Sequence, residues 1–247
     1  MIRLGVNIDH VATLRNARGE DHPNILNAAK FVMKNGADLI TIHLREDRRH
    51  IKDNDLKILS KFKSIPINLE MACNKKMLDI ALKTKPSYVC IVPEKRIEIT
   101  TEGGLNLKKN FQALKTNINI LNRKKIRTSL FINPKIQDIK LSKLIGAKCI
   151  EIHTGTISRK IKSKKKYQKD LKNIIACCKY ANAIGLEVHA GHGLDYKTAK
   201  ILSKIKEIRE FNIGHFIIGE AIYLGIENVV KRMRVLMDEA RSGTGTL

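Results

Sequence analysis

The chain has no tryptophan, and only 4% of its 247 residues are aromatic. Proteins that grip single-stranded nucleic acid stack bases on aromatic side chains interleaved with positive charge, so half of that machinery is missing. Acidic residues are sparse as well, 24 Asp and Glu against 47 Lys and Arg, for a formal net charge of +23. Charge of that size draws anions of every kind, small phosphorylated molecules included. The lysines are spread over nearly every amphipathic segment, with one dense stretch at 158–169 (SRKIKSKKKYQK), and no RNA- or DNA-reading motif accompanies them. Lysine-rich solvated helix faces and a basic surface loop account for the excess. Nucleic acid is not the expected partner; a basic nucleic-acid-binding protein is the rival reading, which tight, salt-sensitive binding to heparin or RNA without turnover would support.

Cys73, Cys90, Cys149, Cys177 and Cys178 form an odd set with no C-x-x-C pair. Neither a disulfide framework nor a zinc ribbon is therefore indicated. Long hydrophobic runs are also lacking, none approaching the ~18 apolar residues of a membrane span. Met1 leads straight into a strand pattern, which leaves no room for a signal segment, and a cytoplasmic protein is expected.

What the chain does have is eight short β-branched runs, at 4–9, 39–44, 67–71, 88–92, 127–132, 149–153, 187–190 and 211–214. Between and after them, apolar residues recur at three- and four-residue spacing at 25–33, 56–62, 77–82, 107–121, 136–145, 171–184, 198–205 and 226–240. Eight strands alternating with eight helices predict an α/β fold, a (β/α)8 TIM barrel with extra short helices in the longer intervals after strands 1, 4 and 6. A doubly wound open sheet gives similar local signals, but the strand count favours the barrel. The length suits one domain over 1–241, with a frayed tail at 242–247. Gly36, Gly146 and Gly185 read as helix stops before strands 2, 6 and 7.

Most of the strands end in an ionisable or hydrogen-bonding group, and a barrel brings those ends to one mouth. Period-two alternation places Asn7 with Asp9, Thr41 with His43 and Arg45, Asn68 with Glu70, and Glu151 with His153 on inward faces. Buried charge of this density is costly unless paired or used. Glu70, between Leu69 and Met71, has surroundings that raise a carboxyl pKa toward that of a general base; alone it reads equally as half of a structural ion pair. Glu151 is ambiguous in the same way. With His43 they make two carboxylates and an imidazole around one mouth, which favours catalysis.

Gly191-His192-Gly193 after strand 7 and Gly214-His215 after strand 8 occupy the place where barrels bind phosphate through backbone N–H groups, although a GHG triplet alone is also a tight turn. Arg45, Arg48, Arg49 and His50 offer a second anion clamp, or ion pairs for Glu46 and Asp47. The stretch 93–105 (PEKRIEITTEGGL), with its Gly103–Gly104 pair, is a candidate lid or a merely solvated loop.

The strings NIDHVATLRNARG (7–19), IHLREDRRHI (42–51), NLEMA (68–72), VPEKRIEITTEGGL (92–105), EIHTG (151–155), AGHGL (190–194) and NIGHFIIG (212–219) closely resemble the pyridoxine 5′-phosphate synthase family of vitamin B6 biosynthesis. The resemblance implies a (β/α)8 enzyme that condenses 3-amino-2-oxopropyl phosphate with 1-deoxy-D-xylulose 5-phosphate, giving pyridoxine 5′-phosphate, inorganic phosphate and water. It implies His43 and Glu70 as proton acceptors, His192 as proton donor and Glu151 as transition-state stabiliser. Asn7, Gly193, Gly214 and His215 would hold the amino-ketone phosphate, with Arg18 reaching it from a neighbouring subunit of a homo-oligomer, an octamer built from dimers. Asp9, His10, Arg45, His50 and Thr100 would hold the deoxyxylulose phosphate. No metal or organic cofactor is expected. Two positions depart from the family pattern: His189 stands in place of Asn, and Glu220 in place of a basic residue. A lysine Schiff-base aldolase or another sugar-phosphate lyase on the same fold is the nearest enzymatic rival, but no strand end carries an inward lysine nucleophile.

Overall fold

The computed structural model describes residues 1–94 and 103–243. Eight parallel strands, β1 (Arg3–Asn7), β2 (Leu39–His43), β3 (Ile67–Met71), β4 (Tyr88–Ile91), β5 (Arg127–Ile132), β6 (Cys149–His153), β7 (Glu187–Gly191) and β8 (Ile208–Ile213), follow one another round a closed barrel. The β1–β8 pairing that closes it matches Arg3 to Glu210 and Gly5 to Asn212.

Each of the eight expected helical stretches is a helix: α2 (Ile25–Lys34), α3 (Asp53–Leu59), α4 (Lys75–Thr84), α5 (Phe111–Arg123), α6 (Ile136–Ile145), α8 (Gln168–Ala183), α9 (Tyr196–Ser203) and α11 (Ile226–Ser242). Their starts are chemically marked. Asn24 and Asn74 accept the backbone N–H groups of Asn27 and Met77 at 3.0 and 2.9 Å, and Asp195 and Thr198 form a reciprocal capping box. Gly36, Gly146 and Gly185 take the positive φ expected of helix stops. The outward strand faces, Ile40, Ile42, Leu69, Ile150 and Ile152 among them, are fully buried beneath this helical layer.

Among the described residues three further helices are present, α1 (Asp9–Arg18), α7 (Gly155–Lys162) and α10 (His215–Leu224). The first two fill long intervals anticipated from the sequence. The third was not foreseen, because FIIG and AIYL make it apolar nearly all round and erase the helical period. α11 also runs through Ser242, the first residue of the expected tail, of which 244–247 lie outside the described residues.

Two strand boundaries differ in ways that matter. β1 stops at Asn7, whose Oδ1 accepts the Asp9 backbone N–H at 2.9 Å and turns the chain; Asp9 opens α1 instead of ending a strand. β8 begins at Ile208, not 211, because Arg209 and Glu210 interrupt the apolar run by which the strand was recognised. The earlier start places Glu210 inside the barrel, 1% exposed.

TIM-barrel interiors are ordinarily filled by layers of branched apolar side chains. Here the interior is polar. Thr41, Asn68, Ser129, Glu151, His189, Glu210 and Asn212 are all buried within it, and the small cluster of Cys90, Val92 and Phe131 is separate from the main apolar core under the helices.

Candidate active site

The carboxyl ends of the strands open onto a cavity of about 850 Å³. Asn7, Asp9, His10, His43, Arg45 and His50 face it from one side, and Glu70, Glu151, His192, Gly193, Gly214 and His215 complete the wall. Twelve of the fourteen residues singled out in the sequence thus converge. Thr100 lies outside the described residues, as does most of the candidate lid. At its end, Gly104 donates its N–H to Asn133 Oδ1 at 3.0 Å, and a Cβ there would lie 2.3 Å from the Asn133 nitrogen, so this glycine serves close packing against β5. Arg18 does not line its own chain's cavity. It is exposed, and its Nε lies 3.2 Å from Glu20 Oε1. Arg48 and Arg49 are ion-pair partners, to Asp53 and Asp47 at 2.7 Å, which leaves Arg45 as the arginine of that loop on the cavity wall.

The β2–β3 register sets His43 beside Glu70. His43 Nε2 lies 2.8 Å from Glu94 Oε1 and its Nδ1 3.8 Å from Glu70 Oε2, so one imidazole sits between two carboxylates. Asp9 Oδ1 accepts the His43 backbone N–H at 2.9 Å, which ties α1 to this end of β2. The two carboxylates have opposite environments. Burial, reinforced by the charges of Glu151, Asp9 and Glu94, pushes Glu70 well above the usual carboxylate range. Burial also acts on Glu94, but the hydrogen bond and charge of His43 and the Glu46 N–H at 3.0 Å hold it below its ordinary value. Separated carboxylate pKa values flanking one histidine are an arrangement for moving protons. Glu94 follows the fourth apolar run of the sequence, where no spacing ties it to His43.

Glu151 is packed from below. Its Oε2 accepts from Asn212 Nδ2 at 2.8 Å, and the Cys90 thiol lies 3.9 Å from the same atom. Gly191 is required beside it, since a Cβ there would fall 2.1 Å from Glu151 Oε1. Burial raises the Glu151 carboxyl, the charge of His189 opposes, and the result is a group pushed up to about 7.

Asn212 Nδ2 also lies 3.2 Å from Glu210 Oε1, and its Oδ1 accepts from Thr41 Oγ1 at 2.7 Å. Below that, His189 sits between Glu187 at 2.9 Å and Glu210 at 3.2 Å, with Arg3 on both carboxylates and Arg127 2.6 Å from Glu187. Burial disfavours charge on His189, but Glu210 and the hydrogen bonds of Cys149 and Glu187 outweigh it and raise the imidazole well above its ordinary value. Ligand atoms of Cys149, Glu187 and His189 lie within 4.8 Å of one another, yet the guanidinium groups of Arg3 and Arg127 on Glu187 are hostile to a cation. The departure at His189 thus lies in a charge network beneath Glu151.

At the β7 end, His192 adopts φ +75, a left-handed backbone uncommon outside glycine. Thr154 Oγ1 fixes this turn by donating to the carbonyls of Gly191 and His192 at 2.7 and 2.8 Å. The His192 ring lies 4.9 Å from that of His153, which burial and the charges of His192 and Arg159 push down to about 4. After β8, Gly214 is the N-cap of α10 and His215 its first residue, with the His10 ring 5.0 Å away edge-on. A helix N-terminus, whose first-turn N–H groups have no intrahelical partner, therefore meets the cavity. Lys162, from the basic stretch read as a surface loop, also lines the wall.

A family profile described as "Pyridoxal phosphate biosynthesis protein PdxJ" matches residues 4–239. The chain belongs to this family. Its relatives include the pyridoxine 5'-phosphate synthase of Pelagibacter ubique, 58% identical over 93% of this chain and 96% of that protein. That of Zymomonas mobilis is 50% identical over 98% and 93% of the two chains. The barrel also resembles a solved N-(5'-phosphoribosyl)anthranilate isomerase from Pyrococcus furiosus, with a TM-score of 0.61 over 97% of this chain and 100% of that one, at 12% identity. At that identity the likeness is one of fold alone.

Proposed function

We propose that the chain is a pyridoxine 5′-phosphate synthase, condensing 3-amino-2-oxopropyl phosphate with 1-deoxy-D-xylulose 5-phosphate to pyridoxine 5′-phosphate, inorganic phosphate and water. The observation that carries this reading is His43 held between Glu70 and Glu94 in the same cavity as Glu151, with an anion-suited end on either side. Joining an amine to a ketone, expelling water and phosphate and closing a ring all move protons, and each positioned acid or base contributes ~10²–10⁴ in rate. His43 and Glu70 accept protons. His192, on its fixed turn, donates one. Glu151 stabilises positive charge developing on the condensing amine.

Arg45, His50, Asp9 and His10 receive the deoxyxylulose phosphate, together with Thr100. Asn7, Gly193, Gly214 and His215, at the α10 N-terminus, receive the amino-ketone phosphate. Arg18, exposed on α1, completes that site in a neighbouring subunit of a homo-oligomer, an octamer, in the cytoplasm. Replacing Glu70 by Gln tests the assignment at its centre: the amide keeps the shape and removes the base, so phosphate analogues bind and turnover is lost. Wild-type turnover in Glu70→Gln would remove Glu70 from the mechanism.

A further inference from the structure

Among the described residues that line the cavity, Arg45 and Lys162 alone carry a positive charge independent of any histidine. Arg45 stands after β2. At the β7–β8 end, Gly193, Gly214 and the α10 N-terminus offer backbone N–H groups, while Glu220 also lines the cavity. A helix terminus carries roughly half an elementary charge. Even with the guanidinium that Arg18 of a neighbouring subunit would bring, a phosphate ester near −2 is left short of positive charge, the more so with a carboxylate nearby.

Lys162 is the residue placed to do it. It closes α7, a helix fixed to the barrel by Ile157 and Ile161, one turn apart and almost fully buried. Its Nζ donates to the Gly193 carbonyl at 2.9 Å and lies 4.0 Å from Asp195 Oδ2. The side chain is 46% exposed, so the ammonium, with three donors in all, reaches both the Gly193 turn and the cavity. We propose that Lys162 is this chain's own phosphate-binding cation at the β7–β8 end of the cavity. The proposal rests on the reading above that a phosphate ester is bound there, and adds to the neighbour's Arg18 a positive charge from the same chain as the Gly193 turn.

The test is calorimetric titration with 3-hydroxy-2-oxopropyl phosphate, which keeps the ketone and phosphate but has no amine to condense. Wild type, Lys162→Met and Lys162→Arg are compared over a range of KCl concentrations. Lys162→Met should bind about tenfold more weakly, the loss of one charge-assisted hydrogen bond. Its affinity should fall less steeply with salt, and Lys162→Arg should recover both properties in part. Unchanged affinity and salt dependence in Lys162→Met would overturn the proposal. Weaker binding with an unchanged salt dependence would also overturn it, since pinning the Gly193 carbonyl explains that result without charge. The reaction is separable: if wild type makes no pyridoxine 5′-phosphate while Lys162→Met still loses analogue binding, the anchor stands and the assigned reaction falls.

Discussion

Replacing Glu151 by Gln should make the protein more resistant to unfolding as pH rises, at the expense of catalysis. In the folded protein, burial pushes this carboxyl from its ordinary value of 4.5 up to about 7, against the opposing charge of His189. The folded state therefore holds a proton on Glu151 more tightly than the unfolded chain does. Below 4.5 both states are protonated and the residue costs nothing; between 4.5 and 7 the unfolded chain releases its proton first, and stability falls; above 7 the loss is complete. At 1.36 kcal/mol per pH unit, the loss across that window is about 3 kcal/mol. A glutamine has no proton to lose and keeps an oxygen for Asn212 Nδ2. Any fixed difference in hydrogen bonding between the two side chains cancels when the variant is compared with wild type across pH. Urea unfolding of both proteins from pH 4.5 to 8 measures the difference directly. The stability of Glu151→Gln relative to wild type should climb by about 3 kcal/mol over this range. A flat difference, or one that declines with pH, would refute the claim that Glu151 is a desolvated, partly protonated acid.

Glu70→Gln should lower kcat by ~10²–10⁴ with little change in analogue binding, checked by steady-state kinetics beside calorimetry. Gly191→Ala should fold, because the Glu151 carboxylate is the flexible end of a side chain and can swing aside, but lose about 1–3 kcal/mol of stability and most activity; wild-type kcat in a folded Gly191→Ala protein would show that Glu151 need not stay where it is. Mixing inactive Arg18→Ala with inactive Glu70→Gln chains should restore part of the activity, since some sites then receive Glu70 from one subunit and Arg18 from another. No recovery after demonstrated subunit exchange would confine Arg18 to its own chain.

The barrel was legible because its outward strand faces are β-branched and its helices periodic, and the inward polar residues followed from alternation. The same alternation brought His43, Glu70 and Glu151 to one mouth. Asp9 continues the apolar–polar pattern of β1, and only the Asn7 side chain turning onto the Asp9 N–H ends the strand. Glu210 beside Arg209 reads as a loop residue, and of its partners Arg3 comes from β1 at the far end of the sequence while His189 comes from the preceding strand β7. Lys162 was lost in a run of lysines, since charge density says nothing of which residue follows a buried isoleucine at the end of a helix. Glu94 needed the 2.8 Å contact with His43, which no spacing reveals.

The most direct measurement supplies the wild-type protein with both phosphorylated substrates, and with each alone, and follows pyridoxine 5′-phosphate by mass and inorganic phosphate in parallel. The account predicts product only when both substrates are present, with one inorganic phosphate released per pyridoxine 5′-phosphate formed. No product from the pair, under conditions where each substrate is shown to bind, would contradict it.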